Sequence, residues 1–194
     1  MSLSPALGFV AGVVLLAGGL ASRGDALKGV QQSETLTIGT NRLKLRAGPG
    51  CSLHRSNDVV MLFGDGALLT EKTFRPPFTI HAVASTDITN LRLYWGSGMV
   101  IFNWELNPRE LRFHEPNTGR VHAFGRGMGF LTVDQWHDVQ WVVNPDSNRI
   151  LVDGEERAFG RSNNAGLTNA VGIGPSRGSI VTVKLFDVEK VELP

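Results

Sequence analysis

Seven residues in the middle of the chain have side chains suited to holding a polar ligand: His81, Arg92, Tyr94, Trp104, Glu105, Arg112 and His114. They lie in segments that alternate apolar and polar residues, the period of strands whose successive side chains point to opposite faces. On that parity Thr79, His81 and Val83 share one face of their strand, and Arg92 shares one with Tyr94. Asn103 falls with Glu105, and Arg112 with His114. If these strands adjoin, their polar sides form one surface, with Trp95 or Trp104 at its rim. Such a surface could stack a sugar ring on the indole and hydrogen-bond its hydroxyls. The same residues also suit the ordinary solvated face of a sandwich whose aromatics are in the core.

Other chemistries find weaker support. His81, His114 and His122 could ligate a metal as imidazoles do, but their spacing fits no compact motif, so no metal site and no cofactor are expected. Ser, His and Asp are present without a strained turn to present a serine nucleophile. Gly125-Arg126-Gly127-Met128-Gly129 lacks the lysine and following helix of a phosphate loop and reads as a crossover. Asp146 and Asn148 read as a turn rather than a calcium site. A glycosidase needs two carboxylates at fixed spacing across the sugar. Glu105 and Glu110 are separated by a turn, and Glu155-Glu156 sits beside a hairpin, so no catalytic residues are assigned and the chain is not expected to be an enzyme.

The elements that must position these residues are strands. The central segment is Trp136 to Gly154, in which Val139, Trp141 and Val143 alternate with Gln140, Val142 and Asn144. Asn144-Pro145-Asp146-Ser147-Asn148 has turn chemistry, Arg149 to Val152 returns, and Asp153-Gly154 is a two-residue hairpin signal. Upstream, strands are expected over 34–38, 42–46, 58–63, 67–70, 78–84, 88–95, 99–105, 111–114 and 121–124. Downstream they are expected over 167–173, 179–186 and 188–193. Many short strands with turn signals roughly every ten residues indicate an antiparallel sandwich or barrel.

The chain has 194 residues, enough for one domain and an appendage. With 19 Lys and Arg against 18 Asp and Glu, the net charge of +1 argues against a nucleic-acid binder, which needs a concentrated basic face. Cys51 is the single cysteine, so an intrachain disulfide is impossible, and it reads as a semi-buried hydrophobe.

Residues 1–22 carry no charged side chain and are apolar from Ala6 to Ala21. They read as a secretory signal or as a membrane anchor of about spanning length, with the anchor preferred. Gly8 and Gly12 form a small-xxx-small pair suited to packing on another transmembrane helix. Residues 23–33 read as a linker and 34–194 as the sandwich. Arg23 and Lys28 after the apolar run point to a cytoplasmic domain by the positive-inside rule. The signal-like character points to the exported, periplasmic side, which is preferred.

The last third resembles the concanavalin A-like jelly rolls, in particular their laminin-G-like branch. The likeness rests on Trp136-His137-Asp138-Val139 and Ile150-Leu151-Val152-Asp153-Gly154. It continues through Val171-Gly172-Ile173-Gly174, Gly178-Ser179-Ile180 and Val183-Lys184-Leu185-Phe186, covering about residues 130–190. The resemblance implies an all-β antiparallel sandwich of jelly-roll type, here preceded by one apolar helix. Glucanases of that fold carry a Glu-x-Asp-x-Glu strand, of which Asp187-Val188-Glu189 is only a fragment. The tether, the missing acid set and the near-neutral charge together favour a non-catalytic subunit. It would be anchored in the lipid bilayer and docked on a larger membrane-protein assembly, for example a respiratory or photosynthetic one. The alternative is an exported glycan-binding module, with a carbohydrate-active hydrolase behind it.

Overall fold

A computed structural model describes residues 35–56 and 58–190. The apolar run 1–22, its Gly8 and Gly12, and the linker 23–33 lie outside the described residues. Among the described residues no helix is long and apolar enough to cross a membrane.

The described residues fold into strands throughout. The first five are β1 (Thr35–Ile38), β2 (Asn41–Ala47), β3 (Ser52–Ser56), β4 (Val59–Phe63) and β5 (Gly66–Phe74). Next come β6 (Phe78–Thr86), β7 (Leu91–Trp95), β8 (Gly98–Phe102), β9 (Glu110–His114) and β10 (Val121–Arg126). The last are β11 (His137–Val143), β12 (Ser147–Val152), β13 (Glu155–Arg161), β14 (Asn169–Gly174) and β15 (Ile180–Lys190). They form two antiparallel sheets. One has eight strands in the order β1-β2-β5-β14-β7-β8-β9-β10, the other seven in the order β13-β12-β11-β6-β15-β4-β3. This is the expected all-β sandwich.

The alternation read from the sequence is the alternation that packs the sheets. In β6, Phe78, Ile80, Ala82 and Ala84 are buried while Thr79, His81, Val83 and Ser85 are partly exposed. In β7 the buried set is Leu91, Leu93 and Trp95. Two aromatic pairs join the layers. Phe78 meets Trp95 edge-on with ring centroids 5.1 Å apart, and Trp141 meets Phe113 at 5.8 Å and 90°. The two indoles are fully buried, so their N–H groups need acceptors. Trp95 donates to the Phe74 carbonyl at 3.2 Å, and Trp141 donates to Asn148 Oδ1 at 3.0 Å.

The central hairpin forms as the sequence indicates. Asn144 N–H donates to the Ser147 carbonyl at 2.9 Å, closing β11 onto β12. Asp153 and Gly154 take φ of 51° and 81°, the two left-handed residues that a type I′ turn requires, and lead into β13. Three differences from the sequence reading have local causes. Strands β3 and β13 were not expected; each lies at an edge of the seven-stranded sheet and buries only one side chain, Leu53 or Ala158, so no alternation marks it. The stretch 88–105 is shorter in strand than expected, because Asn90 and Asn103 both adopt left-handed φ, 55° and 47°. The C-terminal pair of expected strands is a single strand, β15, with a bulge between Val183 and Leu185.

Removing Trp141 tests the cross-sheet packing. Trp141→Ala leaves a cavity against Phe113 and removes the shorter of two hydrogen bonds to Asn148 Oδ1, and should lower stability by about 3–5 kcal/mol. Urea unfolding is the measurement, and a loss below ~1 kcal/mol would show that this pair does not join the layers.

Candidate functional site

Burial of one face of the eight-stranded sheet sends the alternate residues outward, and the register aligns them in rows. Lys44, Leu69, Gly172, Tyr94, Met99, His114 and Val121 stand opposite one another from β2 to β10. The adjacent row holds Gly174, Arg92, Ile101, Arg112 and Ala123. Neighbouring strands lie about 4.8 Å apart, so Tyr94 and His114, two strands distant, are separated by about 10 Å at the backbone.

Trp104 and Glu105 reach this face from a loop rather than from a strand. At Asn103 the chain leaves β8, and the Asn103 side chain fixes the departure. Its amide donates to the Leu131 carbonyl at 2.8 Å, and its Oδ1 accepts the Leu131 N–H at 2.7 Å. Trp104 then bridges to Asn107. The Arg112 guanidinium sits 3.5 Å over the Trp104 ring, a cation–π contact, while Arg112 Nε donates to Glu110 Oε1 at 2.9 Å. Glu105 takes Arg177 Nε at 3.2 Å and Arg92 Nη2 at 3.8 Å. Arg92 is itself held by Asn90 Oδ1, at 3.2 Å from Nε and 2.8 Å from Nη2.

Six of the seven residues singled out in the sequence therefore gather on one face: Arg92, Tyr94, Trp104, Glu105, Arg112 and His114. His81 is elsewhere. It lies on β6 in the other sheet, on its outer side, where Nε2 is 2.8 Å from Asp138 Oδ2. Its register partners there are Gln140 and Asp187. His122 is also apart from the face, stacked on Phe124 with Nε2 at 2.7 Å from Glu115 Oε1. In the glycine-rich stretch after Phe124, the N–H groups of Gly127 and Gly129 both donate to the Arg109 carbonyl, so they are engaged by the chain itself. Asn148 serves Trp141 from within β12, and Asp146 sits in the turn that precedes that strand.

Beside Arg92 and Tyr94 the face opens into a groove of about 400 Å³, also lined by Arg46, Asp65, Met99 and Ser176. Ala67 lines its floor, and Gly174, the register partner of Arg92, adds no side chain beside it. A Cβ on Gly174 would collide with the Gly66 carbonyl oxygen, so β14 and β5 approach only as glycine allows. Arg46, Asp65, Ser176 and Arg177 were not singled out in the sequence. Arg46 had a signal, its outward parity in 42–46. Asp65 and Arg177 sit in turns, whose direction no periodicity reports.

The electrostatics follow from these neighbours. The Arg177 backbone N–H and the Ser176 hydroxyl, at 2.8 and 2.7 Å, hold the Asp65 carboxyl below its ordinary range. Burial pushes the Tyr94 phenol up. Burial, then the positive charges of Arg112 and Arg92, hold the His114 imidazole below its ordinary range, which keeps it neutral at pH 7. Two buried polar atoms on this face have no hydrogen-bond partner among the described residues: Glu105 Oε2 and His114 Nε2. The 3.8 Å from Glu105 Oε2 to Arg92 is an ion pair beyond hydrogen-bond reach.

No family model and no curated protein matches the chain. Solved structures do match its fold. A prokaryotic β-1,3-1,4-glucanase (lichenase) from a mouse hindgut metagenome aligns at a TM-score of 0.57 and 10% identity, covering 76% of this chain and 92% of its own. A Bacillus licheniformis β-glucanase gives 0.56 and 10%, covering 84% and 100%. A carbohydrate-binding module from Bacillus subtilis gives 0.56 and 9%, covering 73% and 92%. At this identity the likeness establishes the two-sheet jelly-roll β-sandwich fold and nothing narrower. It corrects two expectations. A subunit docked on a membrane-protein assembly finds no support among these neighbours, whose sandwiches belong to glucanases and a carbohydrate-binding module. The expectation that the chain is not an enzyme falls with it, since two of the three neighbours are enzymes built on this fold.

The environment of His114 sets a pH test. Its folded pKa lies below its unfolded value of about 6.5, so its contribution to stability is complete above about pH 6.5 and is lost as the pH falls through the lower folded value. An NMR titration should place its midpoint below 6.5, and Arg112→Gln should move it upward while burial keeps part of the shift. A wild-type midpoint at or above 6.5 would contradict the burial and the charge arrangement.

Proposed function

We propose that the outer face of the eight-stranded sheet binds a saccharide, with Trp104 as the stacking platform and Arg92, Tyr94, Glu105, Arg112 and His114 around it. The observation that carries this reading is the pair of buried, unpartnered polar atoms, Glu105 Oε2 and His114 Nε2, on a face that also presents a half-buried indole. An orphaned buried polar atom costs about 1–3 kcal/mol, which a ligand hydroxyl would relieve. Glu105 Oε2 accepts only, and neutral His114 accepts at Nε2 when its proton is on Nδ1. Such acceptors suit the donors of a polyhydroxylated ring. Arg112 steadies the indole from one side by its cation–π contact and is steadied in turn by Glu110.

The glucanase and carbohydrate-binding neighbours support this reading through shared architecture. Within that architecture, the motifs over 130–190 favour a laminin-G-like form of the sandwich. An exported location belongs to the same proposal, because a glycan-facing domain needs delivery and the uncharged run 1–22 suits that task. Hydrolysis is the second reading, favoured by Glu105 and Glu110, which both bring carboxylates to this face through Arg92 and Arg112.

One experiment addresses both. The full-length chain is screened against a glycan array, and reducing-sugar release is measured on every glycan bound. Trp104→Ala should weaken binding roughly tenfold, the loss of about 1.4 kcal/mol of stacking. His81→Ala, on the other sheet, should leave it unchanged. Equal losses in the two variants would remove the binding face from this sheet. Release of sugar by the wild type, abolished in Glu105→Gln, would select the hydrolytic reading.

A further inference from the structure

The groove beside Tyr94 is bordered on its far side by a basic stripe. Strand β2 alternates strictly, burying Asn41, Leu43 and Leu45 and turning Arg42, Lys44 and Arg46 outward. Residues two apart on a strand are about 6.8 Å apart, so the three cations extend over about 14 Å. One carboxylate is shared by two of them: Glu71 takes Arg42 Nε at 3.2 Å and Lys44 Nζ at 3.3 Å. Arg46 stands at the groove instead, facing Arg92 across the low floor of Ala67 and Gly174. From β2 to β7 is three strand steps, about 14 Å at the backbone; Arg92 is held at its end by Asn90 Oδ1, which leaves the exposed Arg46 side chain to reach across and close the gap on an anionic group. Asp65, the carboxylate in the groove, is engaged by the Ser176 hydroxyl and the Arg177 N–H.

We infer that the saccharide taken by this face is an acidic one, whose carboxylate or sulfate group sits in the groove between Arg46 and Arg92 with Lys44 and Arg42 extending the positive border. The inference rests on the saccharide reading above and narrows it to a charge class. Guanidinium groups match carboxylate and sulfate oxygens with paired N–H donors, and the groove of about 400 Å³ that Arg46 and Arg92 line has room for such a group. The stripe is local, so it coexists with a net charge of +1 for the whole chain.

The test is calorimetric titration of the full-length chain with polygalacturonate, with dextran sulfate and with a neutral mixed-linkage glucan, at ~20 mM and ~200 mM salt. The acidic glycans should bind about tenfold or more tightly than the neutral one at the lower salt, with the advantage shrinking at the higher. Preference between the first two ligands identifies carboxylate or sulfate as the group recognised. Arg46→Ala should weaken acidic binding roughly tenfold and leave neutral binding unchanged, because Arg46 is exposed and holds no part of the core. Equal affinity for neutral and acidic glycans would overturn the charge assignment while the saccharide face stands. Failure to bind any of the three, together with an empty glycan array, would remove both. Retention of single-stranded DNA as tight as that of the acidic glycans would overturn the assignment in favour of general polyanion contact.

Discussion

The two cross-sheet tryptophan contacts constrain everything that the surface can do. Trp95 against Phe78 and Trp141 against Phe113 hold each sheet with one defined face inward. Side chains alternate with period two, so a slip of one residue in β7 or β9 would turn Arg92, Tyr94, Arg112 and His114 into the core. Burying two guanidinium groups there without partners would be prohibitive. The apolar packing inside thus selects the polar arrangement outside, although no aromatic of the core touches a ligand.

A second layer of order comes from asparagines. Asn90 and Asn103 both take left-handed backbone conformations, which Asn tolerates better than most residues, and both hold a neighbour in place. Asn90 fixes the Arg92 guanidinium, and its N–H donates to the Asn103 carbonyl at 2.9 Å. Asn103 turns the chain so that Trp104 and Glu105 return over the sheet. From Asn90 the contacts run through three alternating charges, Arg92 to Glu105 to Arg177, each joined to the next. Long side chains lose substantial rotamer freedom when ordered, and this network has ordered them before any ligand arrives.

Much of this was legible in the sequence. The outward parity of Arg92 with Tyr94, and of Arg112 with His114, is an alternation that tertiary structure cannot alter while one face is buried. Parity says which side of its own sheet a residue faces, but not which sheet holds the strand. His81 shows the difference: β6 pairs with β11 and β15, and those long-range pairings carry it to the opposite surface. Edge strands escaped notice because a strand with one buried side chain has no period. The turn residues Asp65 and Arg177 escaped because their positions depend on hydrogen bonds across 112 residues. Function was less legible still, since the strands report a fold that serves enzymes and binding modules alike.

Strand β14 occupies the middle of the eight-stranded sheet, between β5 and β7, yet only β15 follows it along the chain. Before β14 is synthesised and inserted, Arg46 and Asp65 belong to one hairpin cluster and Tyr94 and Arg92 to another, with no shared floor. The groove cannot exist on a nascent chain that lacks it, however well the earlier strands have formed. Folding must close a loop spanning β6 to β13 before the two halves meet, a non-local step that topology makes slow. The groove therefore exists only once β14 has joined β5 to β7, and a ligand that needs its floor would recognise only chains in which that strand is in place.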